Sequence, residues 1–298
     1  MKSMLTIITP TYNREELLPR LYESLLRQTN PDFVWLVVDD GSEDGTPELI
    51  RRYRQEQKIR IIYERQQNSG KHVALNRGIA MTESELTYIV DSDDYLPEDA
   101  VDVILSCHER YKDTPNLCGY SFLRCHSDGR VNTAYFPEDG KVDTYLQVRI
   151  NGRIGGDKAE VFYTKILRQY PFPVFAGEKY MPEDVVWMQM SGPYQMVHLN
   201  KNTYICDYLE GGLTNTGRRM KIHSPKGMVL RSQIYLGNRK TCMSVKIKMM
   251  ILYQIYGRFA RYGSKKLFTD ISNKFLYLLC YLPSFVLYQD WRRKYKEQ

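Results

Sequence analysis

Apolar positions in the first hundred residues alternate between short unbroken runs and runs at helical spacing. Leu5-Thr6-Ile7-Ile8 is a strand-like run ending at Thr9-Pro10-Thr11-Tyr12-Asn13, and Asn13 with Glu16 three residues on predicts a capping-box helix start. Leu17, Leu18, Leu21, Leu25 and Leu26 then share one helical face up to Gln28. Residues 33–38 form the continuous apolar run of a strand buried on both faces. The pattern repeats. Thr46-Pro47 predicts a cap and first-turn proline for a helix over 49–57, and 59–63 reads as strand. Asn68-Ser69-Gly70 opens a helix to about Met81, residues 86–90 read as strand, and Pro97 opens a helix to about Tyr111. Strand and helix alternate four times, which predicts a Rossmann-like, doubly wound α/β fold with a mostly parallel central sheet.

Ligands of such sheets lie outside the carboxyl ends of the strands, so the segments 9–13, 39–42 and 91–94 carry the candidate chemistry. Two of them, Asp39-Asp40-Gly41-Ser42 and Asp91-Ser92-Asp93-Asp94, are rich in aspartate. Carboxylates repel phosphate unless a cation lies between them, and Mg2+ or Mn2+ commonly joins one or two carboxylates to substrate phosphates. The second segment is therefore a candidate for holding a metal and a diphosphate; read alone, it is equally an acidic turn ahead of Pro97.

Four motifs occur in order: Thr9-Pro10-Thr11-Tyr12-Asn13; Val37-Val38-Asp39-Asp40-Gly41-Ser42; Asn68-Ser69-Gly70 with Ala74-Leu75-Asn76-Arg77-Gly78; and Asp91-Ser92-Asp93-Asp94. Together they resemble the family 2 glycosyltransferases, inverting enzymes of the GT-A fold, closely over about the first 100 residues and more loosely to about 215. The resemblance implies transfer of a sugar from a nucleotide-diphosphate donor, with Mn2+ or Mg2+, to a hydroxyl of a saccharide or lipid-linked saccharide in surface polysaccharide synthesis. It implies that Pro10, Thr11 and Tyr12 line the nucleoside pocket and that Asp40 accepts from the base edge, a role suited to uracil. Lys71 is placed to reach a phosphate, Asp93 to ligate the metal, and Asp91 to join it or the donor ribose or sugar. Inversion also needs a base across from the leaving group. Asp184, in Met181-Pro182-Glu183-Asp184 at a predicted helix start, fits the family's base position; a helix N-terminal carboxylate is also favourable on dipole grounds alone. The segment Tyr208-Leu209-Glu210-Gly211-Gly212-Leu213-Thr214 resembles the family's donor-covering loop but lacks its usual histidine, so it reads as a glycine-rich hinge. His72 and His198 have no partner at ligand spacing and read as structural.

Composition adds an asymmetry. With 43% apolar and 26% charged residues among 298, the chain is globular in composition. The formal net charge is +7, yet residues 218–298 hold 18 Lys and Arg against 3 Asp and Glu, leaving −8 on residues 1–217. The expected organisation is a GT-A catalytic domain over 1–215, with a nucleotide-sugar half to about 112 and an acceptor half over 113–215, then a basic helical extension over 216–298. Within it, 242–262 reads as a basic amphipathic helix, 275–288 as an apolar run interrupted by Pro283, and Trp291-Arg292-Arg293-Lys294-Tyr295-Lys296 as a headgroup-interface cluster. Such a tail suits an anionic membrane surface, or else a helical segment that covers a core or joins copies into a homo-oligomer. The N-terminus shows no secretion signal, and the six cysteines lack close pairs, so a cytoplasmic protein on the inner face of the membrane with reduced thiols is expected. Other classes fit less well. No glycine-rich dinucleotide turn follows the first strand, and the tail lacks the stacking aromatics of a nucleic-acid binder. The remaining alternative is a non-catalytic nucleotide-sugar-binding protein of the same fold.

Overall fold

The computed structural model describes residues 3–132, 134–206 and 217–295. The chain forms two compact units, Met1–Pro171 with Met190–Tyr208, and Phe172–Gln189 with Leu209–Gln298.

The first unit is built on an eight-stranded sheet in the order β3-β2-β1-β4-β7-β5-β8-β6. β1 (Leu5–Thr11) and β2 (Phe33–Asp39) are buried at every position, as their unbroken apolar runs require. They pair in parallel with each other, β1 with β4 (Leu86–Ile89) and β2 with β3 (Ile61–Arg65). The crossover helices are α1 (Leu18–Leu26), α2 (Thr46–Glu56) and α3 (Lys71–Met81), and α4 (Ala100–Tyr111) follows β4. A Cβ at Gly78 of α3 would stand 2.9 Å from Ile8 Cγ2 and 3.2 Å from Val38 Cγ2, so glycine there lets the helix lie close on β1 and β2.

The outer half of the sheet is mixed. β7 (Lys158–Tyr163), which runs into the short α5 (Thr164–Leu167), lies antiparallel to both β4 and β5 (Leu117–Cys125), while β5 pairs in parallel with β8 (Gln195–Ile205), and β6 (Lys141–Asp143) edges β8. The sheet is mostly parallel, as expected: six strands run one way, and β7 and the edge strand β6 run against them. The expected capping box is absent. Asn13 has a positive φ of 51°, and its side chain instead accepts from Glu43 N at 2.8 Å, tying the β1–α1 loop to the β2–α2 loop; α1 starts at Leu18, beside Pro19.

The second unit holds α6 (Asp184–Met190) for most of its length, then α7 (Gly217–His223), α8 (Pro225–Gly237), α9 (Met243–Phe259), α10 (Ser264–Thr269), α11 (Lys274–Leu279) and α12 (Tyr281–Lys294). Its core gathers Met228, Val229, Met250, Tyr253, Ile255, Tyr256, Leu276 and Trp291. The helix read over 242–262 as basic and amphipathic is α9, and its apolar face packs into this core rather than onto a membrane, as the core-covering alternative has it. Trp291, expected at an interface, is buried, edge-on to Tyr256 at 5.9 Å with Arg218 over its ring. No described helix is long and apolar enough to cross a membrane. Cys107, Cys118, Cys125 and Cys280 are buried free thiols, and Cys206 and Cys242 are partly exposed free thiols.

Candidate functional site

The parallel register sets Thr11 against Asp39, so the ends of β1 and β2 lie side by side, and Asp40 N donates to Thr11 O at 2.8 Å. Asp39 is fully buried. One oxygen accepts from Ser42 N at 2.8 Å and the other from the Tyr63 hydroxyl at 2.7 Å, with Arg65 Nε at 3.6 Å. Burial first, and then the hydrogen bond to Asp39 and its charge, push the Tyr63 hydroxyl up, so it stays a donor.

Asp40 holds the next loop. Its Oδ1 accepts from Gln66 Nε2 at 2.7 Å and Ser69 N at 2.8 Å, and its Oδ2 accepts from Gly70 N at 2.7 Å. Three bonds to one carboxylate fix the turn that starts α3, where Gly70 has φ 102°. The residue expected to read a base edge is thus already engaged by its own loop, with one lone-pair direction left over. Pro10 and Thr11 are buried at the end of β1, while the Tyr12 ring is 40% exposed beside them. Thr11 Oγ1 and His72 Nδ1 are buried polar atoms without a hydrogen-bond partner among the described residues. Burial pushes the His72 imidazole below its ordinary value, against the pull of Asp40, so the ring is neutral.

The third strand end is a charge cluster. Lys71, first residue of α3, ion-pairs with Asp91 Oδ1. Arg124 Nη1, from the end of β5, lies 3.7 Å from Asp91 Oδ2 and 3.8 Å from Asp94 Oδ2. Its guanidinium lies over the Tyr204 ring at 4.0 Å and donates through Nε to Lys158 O at 2.9 Å. The Tyr204 hydroxyl donates to Asp94 Oδ2 at 2.8 Å and accepts from Asp91 N at 2.9 Å. Asp93 is partly exposed, and Arg20 grips its backbone carbonyl while covering the Tyr95 ring at 4.5 Å. Burial works to raise the Asp91 carboxyl, but Lys71 and Arg124 outweigh it and hold the group low. Asp94 goes the other way, pushed up to about 7 by burial and by Asp91 beside it. Sequence reading found Lys71, Asp91 and Asp93. Arg124 and Tyr204 it missed, since only the β5–β8 pairing brings them to the end of β4.

The three aspartates do not converge into a cage: among the described residues no group of three or more acidic, His or Cys side chains is placed to hold a metal. The donor set still has the right chemistry. All its ligand atoms are oxygens, it has drawn two cationic side chains to itself, and Mg2+ is ordinarily held by one or two carboxylates with substrate phosphates completing the shell.

Asp184 belongs to the second unit and is the first residue of α6, as expected. Glu178 accepts from Lys226 N at 2.8 Å and Gly227 N at 2.9 Å, capping the start of α8. Arg231 and Tyr235, four residues apart, then share one face of α8 and both reach Asp184. Arg231 Nε donates to both carboxylate oxygens at 2.8 Å, and the Tyr235 hydroxyl donates to Oδ2 at 2.7 Å. Burial would raise this carboxyl, yet Arg231 holds it below the ordinary carboxylate range. The expected hinge over Tyr208 to Thr214 lies outside the described residues.

A sequence model described as Glycosyl transferase family 2 matches residues 6–126. TuaG of Bacillus subtilis (strain 168) is 27% identical over 152 residues, covering 51% of this chain and 60% of TuaG. TarS of Staphylococcus aureus, a poly(ribitol-phosphate) β-N-acetylglucosaminyltransferase, is 32% identical over 98 residues, or 32% of this chain and 17% of TarS. The chain thus spans less than two thirds of the length of these relatives. The crystal structure of TarS 1–349 with UDP-GlcNAc superposes at TM-score 0.64 with 20% identity, covering 99% of this chain and 92% of that one. The mannosyltransferase PcManGT of Pyrobaculum calidifontis, solved with GDP-Man and Mn2+, gives 0.60 with 17% identity over 99% of this chain and 84% of its own. Residues 6–126 thus match the sequence model of glycosyl transferase family 2, and the chain has the same fold as the glycosyltransferases TarS and PcManGT.

Proposed function

We propose that the protein is an inverting glycosyltransferase that moves a sugar from a nucleotide-diphosphate donor, UDP-linked by preference, to a hydroxyl of a saccharide or lipid-linked saccharide during surface polymer synthesis. The observation that carries the reading is the cluster Lys71–Asp91–Arg124–Asp94–Tyr204 at the end of β4, whose first four residues lie in the segment that matches the family 2 model. Anionic and cationic side chains are interleaved there, which suits a ligand that is itself an anion partnered by a cation. Thr11 Oγ1 and His72 Nδ1, buried without partners among the described residues, are groups of the kind a bound nucleoside satisfies.

In this reading Pro10, Thr11 and Tyr12 hold the nucleoside, and Asp40 keeps the 66–70 loop in place while offering its remaining lone pair to the base. Asp93, with Asp91, would hold Mn2+ or Mg2+, which when bound supplies Lewis-acid neutralisation of the leaving diphosphate. Lys71 and Arg124 add positive charge on the same side. Asp184 takes the acceptor proton. It is ionised at neutral pH, as a base must be, and the hydroxyl becomes acidic only as its oxygen bonds to the anomeric carbon, so a weak base suffices. The peripheral, inner-face location goes with a lipid-linked acceptor.

One observation favours the non-catalytic alternative: Asp184 is already engaged by Arg231, through Nε to both carboxylate oxygens and through Nη2 to Oδ2, and by the Tyr235 hydroxyl. A thermal-shift screen of UDP, GDP, CDP and dTDP with Mn2+, followed by product analysis with the preferred UDP-sugar, separates the readings. A stabilising nucleotide contributes about 2.7 kcal/mol at a hundred times its Kd. Stabilisation with turnover supports the enzyme, stabilisation without turnover or hydrolysis of any donor supports the binder, and no response to any nucleotide removes both.

A further inference from the structure

Most of the exposed large apolar side chains among the described residues of the second unit lie on α11 and α12. Phe275 is 77% exposed and Leu282 70%, and Leu278, Leu279, Phe285 and Val286 are exposed with them. Leu276, Tyr277, Cys280, Ser284 and Trp291 face inward, so the exposed residues form one stripe at positions 275, 278/279, 282 and 285/286. A connected stripe of this kind differs from the scattered single apolar residues of ordinary surfaces. It is bounded by charge of one sign. Lys274 precedes it, exposed Arg292, Arg293 and Lys294 follow it, and residues 271–289 contain no Asp or Glu. Asp290, the first acid after the stripe, is paired with Lys294 at 3.0 Å.

We infer that this α11–α12 face, rather than α9, seats the protein on an anionic lipid bilayer, with the apolar stripe in the acyl boundary and the basic ends at the headgroups. The charge pattern decides between occupants. Were a second copy to cover the stripe in antiparallel fashion, Lys274 would meet the partner's cationic C-terminal end; in parallel fashion each end would meet itself. Both pairings set cation against cation. An anionic surface instead complements both ends, as it does the surplus of 18 basic over 3 acidic residues across 218–298. Neither helix is long enough to span, so the contact is one of lying in the interface. This deepens the proposed function, since it brings the enzyme to the surface that displays a lipid-linked acceptor, but the binding itself does not depend on catalysis.

The experiment is flotation of the full chain with vesicles of phosphatidylcholine containing about 30% phosphatidylglycerol, and with phosphatidylcholine alone, at low and high salt. The wild type should float with the anionic vesicles only. F275S/L279S/L282S, which alters exposed side chains, should lose about tenfold or more of the binding with an unchanged melting temperature and unchanged nucleotide response. R292E/R293E should lose several-fold and most of the salt dependence. Failure of the wild type to float, or equal flotation of wild type and both variants, overturns the inference. So does a wild-type dimer in the absence of lipid that the triple substitution dissociates, which assigns the stripe to a second copy. Loss of flotation with an intact nucleotide response leaves the transferase reading standing, and a normal flotation profile with no nucleotide response removes that reading alone.

Discussion

Arg231 meets Asp184 side-on, its Nε 2.8 Å from both carboxylate oxygens, and so a residue of α8 sets the charge of the first residue of α6. If Asp184 is the base, Asp184→Asn should lower kcat by about 10²- to 10⁴-fold while leaving the nucleotide thermal shift intact. A variant that still turns over at wild-type rate would make Asp184 a structural carboxylate. Arg231→Met should raise the Asp184 carboxyl, since the dominant opposing charge is gone. Because the base must be ionised, the acid limb of the kcat/KM profile then moves to higher pH. Folding should weaken by about 3 kcal/mol, because a mostly buried carboxylate loses its partner. A pH profile with an unmoved acid limb would separate Arg231 from the chemistry.

At the end of β4, Lys71 and Arg124 share Asp91. Asp93→Asn, or chelation of divalent cations, should abolish most of the Mn2+-dependent stabilisation by nucleotide while leaving the metal-free melting temperature within about 1 °C, since Asp93 is partly exposed. Lys71→Ala should weaken nucleotide binding about tenfold and leave the dependence on metal concentration in place. Isothermal titration with and without Mn2+ distinguishes the two effects. Equal metal dependence in wild type and Asp93→Asn would dismiss Asp93 as the ligand.

How far these sites could be read from residues alone depends on sequence distance. Thr11, Asp40, Lys71, Asp91 and Asp93 each stand just after a strand or at the start of a helix, and local pattern locates such positions. Arg124 and Tyr204 belong to the same cluster, but they arrive through β5 and β8, whose pairing joins residues about eighty apart. No periodicity reports that register, nor the reversal of β7 between β4 and β5. The tail misled for a different reason. A helix with many apolar residues and a few lysines looks alike whether it lies on a surface or is wrapped by neighbours, and α9 is wrapped. Asp184 could be placed at a helix start; that Arg231 would hold it could not, because α8 lies about forty residues further on.

His198 should make the first unit sensitive to acid. The ring is fully buried, Nε2 donates to Asp143 O at 3.3 Å in its neutral form, and Nδ1 has no hydrogen-bond partner among the described residues. Burial, together with Arg149 and Lys141, pushes it down to about 4 from 6.5. The unfolded chain therefore takes up this proton as pH drops below 6.5, while the folded chain resists until about 4. Stability is full above the upper value and falls through that window, by up to about 3 kcal/mol from this group. Urea unfolding at pH 7 and pH 5 should show the loss in wild type and a much smaller one in His198→Gln. Parallel losses in both would assign the acid sensitivity to other groups.

Gln254 anchors the α11–α12 platform to the core. It is fully buried on α9, its Nε2 donates to Tyr277 O at 2.8 Å, and its Oε1 accepts from Ser284 Oγ at 2.9 Å. One amide thus ties together α9, α11 and α12, and the same Ser284 hydroxyl accepts from Arg258 at 3.1 Å. Gln254→Leu fills the space but leaves the Tyr277 carbonyl without its side-chain donor, a cost of about 1–3 kcal/mol. The loss should be local. Amides of 274–294 should exchange faster while those of β1 and β2 keep their protection, because the first unit has its own core. If the platform must hold its shape to lie on a bilayer, the same variant should float less well although every exposed apolar side chain remains. Unchanged exchange over 274–294 would show that packing around Trp291 and Leu276 holds these helices without the amide.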